Sequence, residues 1–254
     1  MVKALQFHRI ATDLQLCGTW NQPAQLRGFI EQLIKTKIPI GLPGERDEGI
    51  ILTFDDGEEN IYRHALPILR EFGVRAVVFL IVGYIGEKNT WDISLTGRRV
   101  AHLDWNQIHQ LKKGGMEIGS HGMTHRNLAR LSTAELEYEL NGSKAIIEKE
   151  LGTIRCISYP FNRINPAVRR MAARAGYRYG FGGNGDDDLT LKKEAIYITD
   201  TRASLAIKVT EKPPVAYGYY RTQQKVINFF TLATMIARRR SDIVLKGQKI
   251  KEAS

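Results

Sequence analysis

Two adjacent carboxylates, Asp55 and Asp56, close an apolar stretch in Thr53-Phe54-Asp55-Asp56-Gly57. Side by side they repel unless a cation or a turn separates their roles, and a metal ion resolves that conflict. Further on, Ser120-His121-Gly122-Met123-Thr124-His125 sets two imidazoles four residues apart. From a helical turn or a compact loop, both can reach one cation. Two histidines and one carboxylate make a three-ligand site with positions left open for water and substrate, as a catalytic metal requires. Zinc fits, and iron, manganese, cobalt and nickel are alternatives. A third segment, Ser158-Tyr159-Pro160-Phe161, adds a proline that constrains the backbone and so directs the next residue's amide. Such an amide can stabilise a developing oxyanion. Each segment alone has an ordinary explanation: an exposed Asp-Asp-Gly turn, an incidental histidine pair, a strand-ending proline beside core aromatics. Together, each following an apolar strand, they point to metal-assisted hydrolysis.

The elements that must hold these residues alternate. Leu26 to Lys35 has helical apolar spacing, and Gly49-Ile-Ile-Leu-Thr-Phe54 is the first clear strand. A helix containing Pro67 runs to about Phe72, Gly73 ends it, and the β-branched run Arg75 to Val82 follows. Trp105 to Lys113 reads as a helix and Met116 to Gly119 as a short strand. Ser132 with Glu135 forms a capping pattern for a helix whose apolar positions are Leu136, Leu140, Ile146 and Leu151. Strand Arg155 to Tyr159, helix Pro166 to Ala175, strand Tyr177 to Phe181 and a brief strand near Ala195 to Ile198 complete the pattern. This alternation implies an α/β fold with a mainly parallel sheet. Candidate polar residues placed directly after strands favour a barrel with its site at the strand C-terminal ends.

The three segments, in this order and spacing, resemble the polysaccharide deacetylase, or NodB homology, family over roughly Gly49 to Phe181. Phe7-His8-Arg9-Ile10 is similar to the Tyr-His-Arg opening of some members. The resemblance implies a distorted (β/α) barrel in a single domain, with residues 1–48 as a lead-in, 49–200 as the catalytic core and 201–254 as a basic C-terminal segment. It implies a metal-dependent hydrolase that removes an N-acetyl or similar acyl group from an amino sugar. Carried over by position, Asp56, His121 and His125 bind one divalent metal, expected to be Zn2+. Asp55 is the general base, the Phe161 amide helps to hold the oxyanion, and Tyr159 and Pro160 are expected at the substrate. The sequence departs from the family at Gly122, where a Ser or Thr is usual, and at Ser158, where an Arg often orients the base. No histidine follows His125, so the late general acid of many members is missing; Asp55 after it takes the water proton, a solvent molecule, or one of His8, His64, His102 and His109 can replace it.

At 254 residues, 43% hydrophobic and 25% charged, the chain has the balance of an ordinary globular protein. Its formal charge of +10 is concentrated at the end, where residues 201–254 carry eleven Lys and Arg against three Asp and Glu. An acetylated amino-sugar substrate that is anionic or lipid-linked fits this charge, as does peripheral contact of the basic C-terminus with an anionic membrane surface. Nucleic acid is not expected, because no aromatic-rich basic stripe or recognised module accompanies the charge. The opening residues lack the long apolar run of a secretory signal, which gives a cytoplasmic expectation. Cys17 and Cys156 suggest no disulfide framework. A second functional class, a non-catalytic sugar-binding or membrane-associated protein on the same scaffold, draws its support from the missing late histidine and from Ser158.

Overall fold

A computed structural model describes residues 2–13, 19–88 and 101–209. The chain opens on a strand that its residue pattern did not lead us to expect, β1 (Val2–Phe7). Two short strands, β2 (Arg9–Ile10) and β3 (Trp20–Asn21), pair with each other beside it. Helix α1 (Pro23–Lys35) begins on a proline, whose missing N–H costs nothing at a helix start, and buries Leu26, Phe29, Ile30 and Leu33. Strand β4 (Gly49–Phe54) runs parallel to β1, and the chain then enters a π-helical turn, Ile61–Ala65, and α2 (Leu66–Glu71). Strand β5 is Val77–Leu80, shorter than the apolar run suggests because Val82–Tyr84 turns into a short helical segment. Helix α3 (Trp105–Lys113) carries a capping box from Asp104 and Gln107 and leads to β6 (Glu117–Ser120).

The next helix is interrupted. Ser132 and Glu135 cap α4 (Thr133–Glu137), a π-helical turn follows at Tyr138–Gly142, and α5 (Ser143–Leu151) continues. Ile146, expected on the buried face, is 41% exposed, and Ile147 is buried instead. Seven residues from Leu140 complete two turns, whereas six fall roughly 120° round the helix. Strands β7 (Cys156–Ser158) and β8 (Tyr179–Phe181) flank α6 (Pro166–Arg174), and β9 (Lys193–Ala195) precedes α7 (Arg202–Val209).

The seven long-range strands form one parallel sheet in the order β8-β7-β6-β5-β4-β1-β9. The segment before β9 nearly closes it: Leu191 bridges to Phe181 at the β8 edge, and two residues on, Lys193 pairs with Ala4 of β1. This is a distorted (β/α) barrel. Because side chains alternate across a strand, each strand has an inward and an outward set. Ala4, Ile51, Val77, Phe79, Cys156 and Phe181 fill the inside as one cluster, while Leu5, Phe7, Leu52, Phe54, Val78 and Leu80 pack outward under the helices. Gly119 belongs to the inner set, where a Cβ would lie 2.6 Å from the Phe79 ring and 2.9 Å from the Cys156 carbonyl. Gln6, Asp55, His121 and Ser158 lie on this inward face at or just beyond the C-terminal ends of β1, β4, β6 and β7, and they form the site. No helix among the described residues is long and apolar enough to cross a membrane. The Val226 to Ile236 segment and the arginines after it, on which the expected membrane contact rests, lie outside the described residues, as do Cys17 and Trp91.

Candidate metal centre and base

Asp56, His121 and His125 converge. Asp56 Oδ1 lies 3.5 Å from Nε2 of each histidine, and the three ligand atoms lie within 4.8 Å of one another. They are the one such cluster of metal-ligating side chains among the described residues. Two atoms bound at about 2.0–2.1 Å to one tetrahedral ion stand roughly 3.4 Å apart, so the spacing is that of a shared ion. The chemistry of the donors agrees. The His121 Nδ1–H donates to the Ser158 carbonyl at 2.7 Å, which leaves the Nε2 lone pair facing Asp56. Burial holds the His121 pKa below its ordinary value against the pull of Asp55 and Asp56, and keeps the ring in the neutral form that a ligand needs. The residues therefore fit a divalent metal.

The backbone at this site is held in the left-handed region. Asp56 (φ 71°), His125 (φ 58°) and Phe161 (φ 61°) are three of the five non-glycine residues with positive φ among those described. Conformations of this kind cost roughly 1–3 kcal/mol each and persist where the surroundings over-determine them. At Asp56 the surroundings include His102, whose Nδ1–H donates to the Asp56 carbonyl at 3.0 Å. Phe161 lies in a short helical turn, Pro160–Asn162, and its ring meets the His125 ring edge-on at 4.6 Å.

Asp55 is fully buried, and its two oxygens differ. Oδ2 accepts three hydrogen bonds: from Gln6 Nε2 at 2.8 Å, Ser158 Oγ at 2.8 Å and Lys193 Nζ at 2.7 Å. Oδ1 has no hydrogen-bond partner. Burial pushes the carboxyl pKa up, but Lys193, then His121 and His8, outweigh it and hold it at about 2. Asp55 is thus a carboxylate with one saturated oxygen and one open oxygen, beside the metal-ligand cluster.

Lys193 was not visible as a functional residue in the sequence. It arrives from β9, follows a loop of glycines and aspartates, and has no motif around it. Its ammonium also donates to Ser158 Oγ at 2.7 Å, so Ser158 and Lys193 together occupy the place where the family resemblance implies an arginine. Gln6 was missed for a similar reason, since β1 itself was not recognised. Among the four candidate histidines, His8 reaches the site. Gln6 Nε2 lies 3.2 Å from His8 Nε2 and donates its other hydrogen to Asp55, which places the His8 proton on Nδ1. That Nδ1 is buried and has no hydrogen-bond partner. His109 is exposed on α3, and His102 holds Asp56.

Tyr159 and Pro160, expected at the substrate, sit behind the site. The Tyr159 side chain is outward-facing in strand parity and fully buried, and its hydroxyl donates to the Leu189 carbonyl at 3.0 Å. Burial raises its pKa and removes it from contact with a ligand; Pro160 is buried as well.

The polysaccharide deacetylase family model matches residues 44–180. The chain belongs to the polysaccharide deacetylase family. It is 27% identical over 166 residues to the poly-beta-1,6-N-acetyl-D-glucosamine N-deacetylase of Staphylococcus aureus, a match that covers 61% of this chain and 52% of that protein. The chain spans about half the length of the curated relatives it matches. Among solved structures, the Streptococcus pyogenes deacetylase PplD in complex with acetate superposes with a TM-score of 0.71 at 21% identity, over 82% of this chain and 98% of that one. The structure of IcaB from Ammonifex degensii superposes with a TM-score of 0.66 at 18% identity, over 82% and 97% of the two chains. These likenesses establish the barrel fold.

Proposed function

We propose that this protein hydrolyses the N-acetyl group of an amino sugar in a polysaccharide, with Asp55 as general base beside a divalent metal held by Asp56, His121 and His125. The observation that carries the reading is the place of Asp55: three donors fix Oδ2, which lies 3.6 Å from His121 Nε2, and Oδ1 is left without a hydrogen-bond partner. The metal, for which Zn2+ suits the donor set, would supply Lewis acidity toward the acyl oxygen and toward water. Asp55 Oδ1 takes a proton from the attacking water. The Phe161 N–H donates to the oxygen on which negative charge develops, and the positive φ at Phe161 aims that amide. Asp55 returns the water proton to the departing nitrogen as the carbon–nitrogen bond breaks, giving acetate and a free sugar amine. Lys193, bound to Asp55 and Ser158, thereby answers the departure at Ser158, and Asp55 acting in both proton transfers answers the missing late histidine.

The finer substrate reading is a glycan that carries negative charge. Arg130, Arg163, Arg170 and Arg174 are exposed, and none forms an ion pair among the described residues. Arg163 lies two residues after Phe161, and Asn165 at the start of α6 donates to the Ala129 carbonyl beside Arg130, so both arginines stand near the site end of α6. Guanidinium groups suit phosphate and carboxylate.

The test pairs elemental analysis with acetate release from N-acetylated glycans. The parent should hold stoichiometric metal and release acetate, Asp55→Asn should keep the metal and lose activity, and His121→Ala should lose both. A parent that binds no divalent metal would sink the proposal. For the charged substrate, Arg130→Glu with Arg163→Glu should raise KM for a phosphate-bearing glycan and leave a neutral one unchanged; equal effects on both would refute that part.

A further inference from the structure

Glu139 is a buried carboxylate that the proposed chemistry does not use. It is 1% exposed and forms no ion pair among the described residues. Every group its carboxylate meets is a donor from the loop between the two histidine ligands. Glu139 Oε2 accepts from the Met123 N–H at 2.8 Å and the Thr124 N–H at 3.0 Å, and Oε1 accepts from the Thr124 hydroxyl. Isolated burial of a carboxylate is expensive, so the contacts that compensate it bind the loop tightly to this one side chain.

Two local features are built around it. The π-helical turn Tyr138–Gly142 interrupts an otherwise continuous helix at this residue, and such turns recur where a side chain must be re-aimed. On the loop side, Gly122 has φ +82°, and a Cβ there would stand 2.8 Å from Glu139 Oε2. Gly122 therefore leaves the space that the Glu139 carboxylate occupies, and the same loop is also tied to the barrel through the Gly122 and Met123 carbonyls, which accept from the Val82 and Gly83 N–H groups.

We infer that Glu139 is a positioning residue for the metal centre: it holds the Gly122 to Thr124 backbone so that His121 and His125 present their Nε2 atoms together, and it thereby sets the affinity for the divalent ion. This rests on the metal-site reading of Asp56, His121 and His125. Removing a group that orients metal ligands from behind them typically lowers metal affinity about 10–100-fold.

The experiment is a Zn2+ titration against a competing chelator, with the stability of each metal-free protein measured by thermal melting. Glu139→Gln keeps one oxygen for the Met123 and Thr124 N–H groups, turns its NH2 toward the Thr124 hydroxyl and removes the charge that strengthens these contacts, and should weaken Zn2+ binding about 10-fold. Thr124→Val removes one donor only, keeps the carboxylate and should weaken binding by a smaller factor, which keeps the test available if Glu139→Gln folds poorly. Tyr177→Phe is the control. It deletes the hydrogen bond from the Tyr177 hydroxyl to the Leu140 carbonyl on the same π-helical turn, and should lower the melting temperature without changing Zn2+ affinity. Zn2+ affinity equal to the parent in Glu139→Gln, or a loss in Tyr177→Phe matching that in Glu139→Gln, overturns the inference while leaving the metal site itself intact. A parent that fails to bind Zn2+ overturns both.

Discussion

Replacing Lys193 by Met tests whether the cation from β9 is what allows a charged Asp55 inside the barrel. Met keeps an unbranched stem and removes the ammonium, so Asp55, with no solvent exposure, retains only the neutral donors Gln6 and Ser158 on Oδ2. Breaking a buried ion pair by deleting one partner costs about 3–5 kcal/mol, and with two donors left the lower end, about 3 kcal/mol, is expected. The pH dependence follows from the sign of the shift. Burial opposes the charge, yet Lys193 and the neighbouring histidines hold the pKa at about 2, below its ordinary 3.8. A carboxyl depressed in the folded state stabilises above its unfolded pKa and loses that contribution as the pH falls through the folded one. A depression of this size corresponds to roughly 2 kcal/mol. Urea denaturation of the metal-free proteins in chelator should therefore show Lys193→Met about 3 kcal/mol less stable at neutral pH. With an m-value of about 2 kcal/mol/M, that moves the midpoint by roughly 1.5 M. The gap should shrink markedly below about pH 3. Asp55→Asn combined with Lys193→Met removes both charges and should regain most of the loss. A Lys193→Met protein within about 0.5 kcal/mol of the parent at neutral pH, or a gap independent of pH, would refute this role for Lys193.

Three further outcomes are expected. His8→Leu removes the acceptor that orients the Gln6 amide on Asp55 and should lower kcat by about 10-fold at unchanged metal content, whereas a loss as complete as that in Asp55→Asn would give His8 a direct role in the reaction. Gly119→Ala should destabilise the protein by about 1–3 kcal/mol in a thermal melt, because its Cβ meets the Phe79 ring, and adding Phe79→Leu should recover part of that loss. Chelation should abolish acetate release and lower the melting temperature, and Zn2+ at about a hundred times its Kd should restore about 2.7 kcal/mol of stability. His121→Ala should show no such Zn2+-dependent rise.

Linear sequence was sufficient for the residues that would carry the metal. Asp56, His121 and His125 each lie within a few positions of a strand end, in short segments whose residue types and spacing are tied to one another by local geometry, and the alternation of strands and helices between them implied the barrel. Sequence was also sufficient for Asp55, because it adjoins Asp56. The partners of Asp55 were decided by the tertiary structure alone. Gln6 lies far from Ser158 and Lys193 in the chain, and Gln6 and Lys193 have bland local contexts. The three meet because Gln6 and Ser158 occupy inward positions at the C-terminal ends of β1 and β7, and Lys193, inward at the start of β9, extends its ammonium to them, an outcome of strand order and register that periodicity does not encode. The same parity placed Tyr159, adjacent to Ser158 in sequence, on the opposite face and out of the site. Likewise nothing in the linear pattern singles out Glu139; the π-helical turn and the space beside Gly122 give it the ligand loop as its partner.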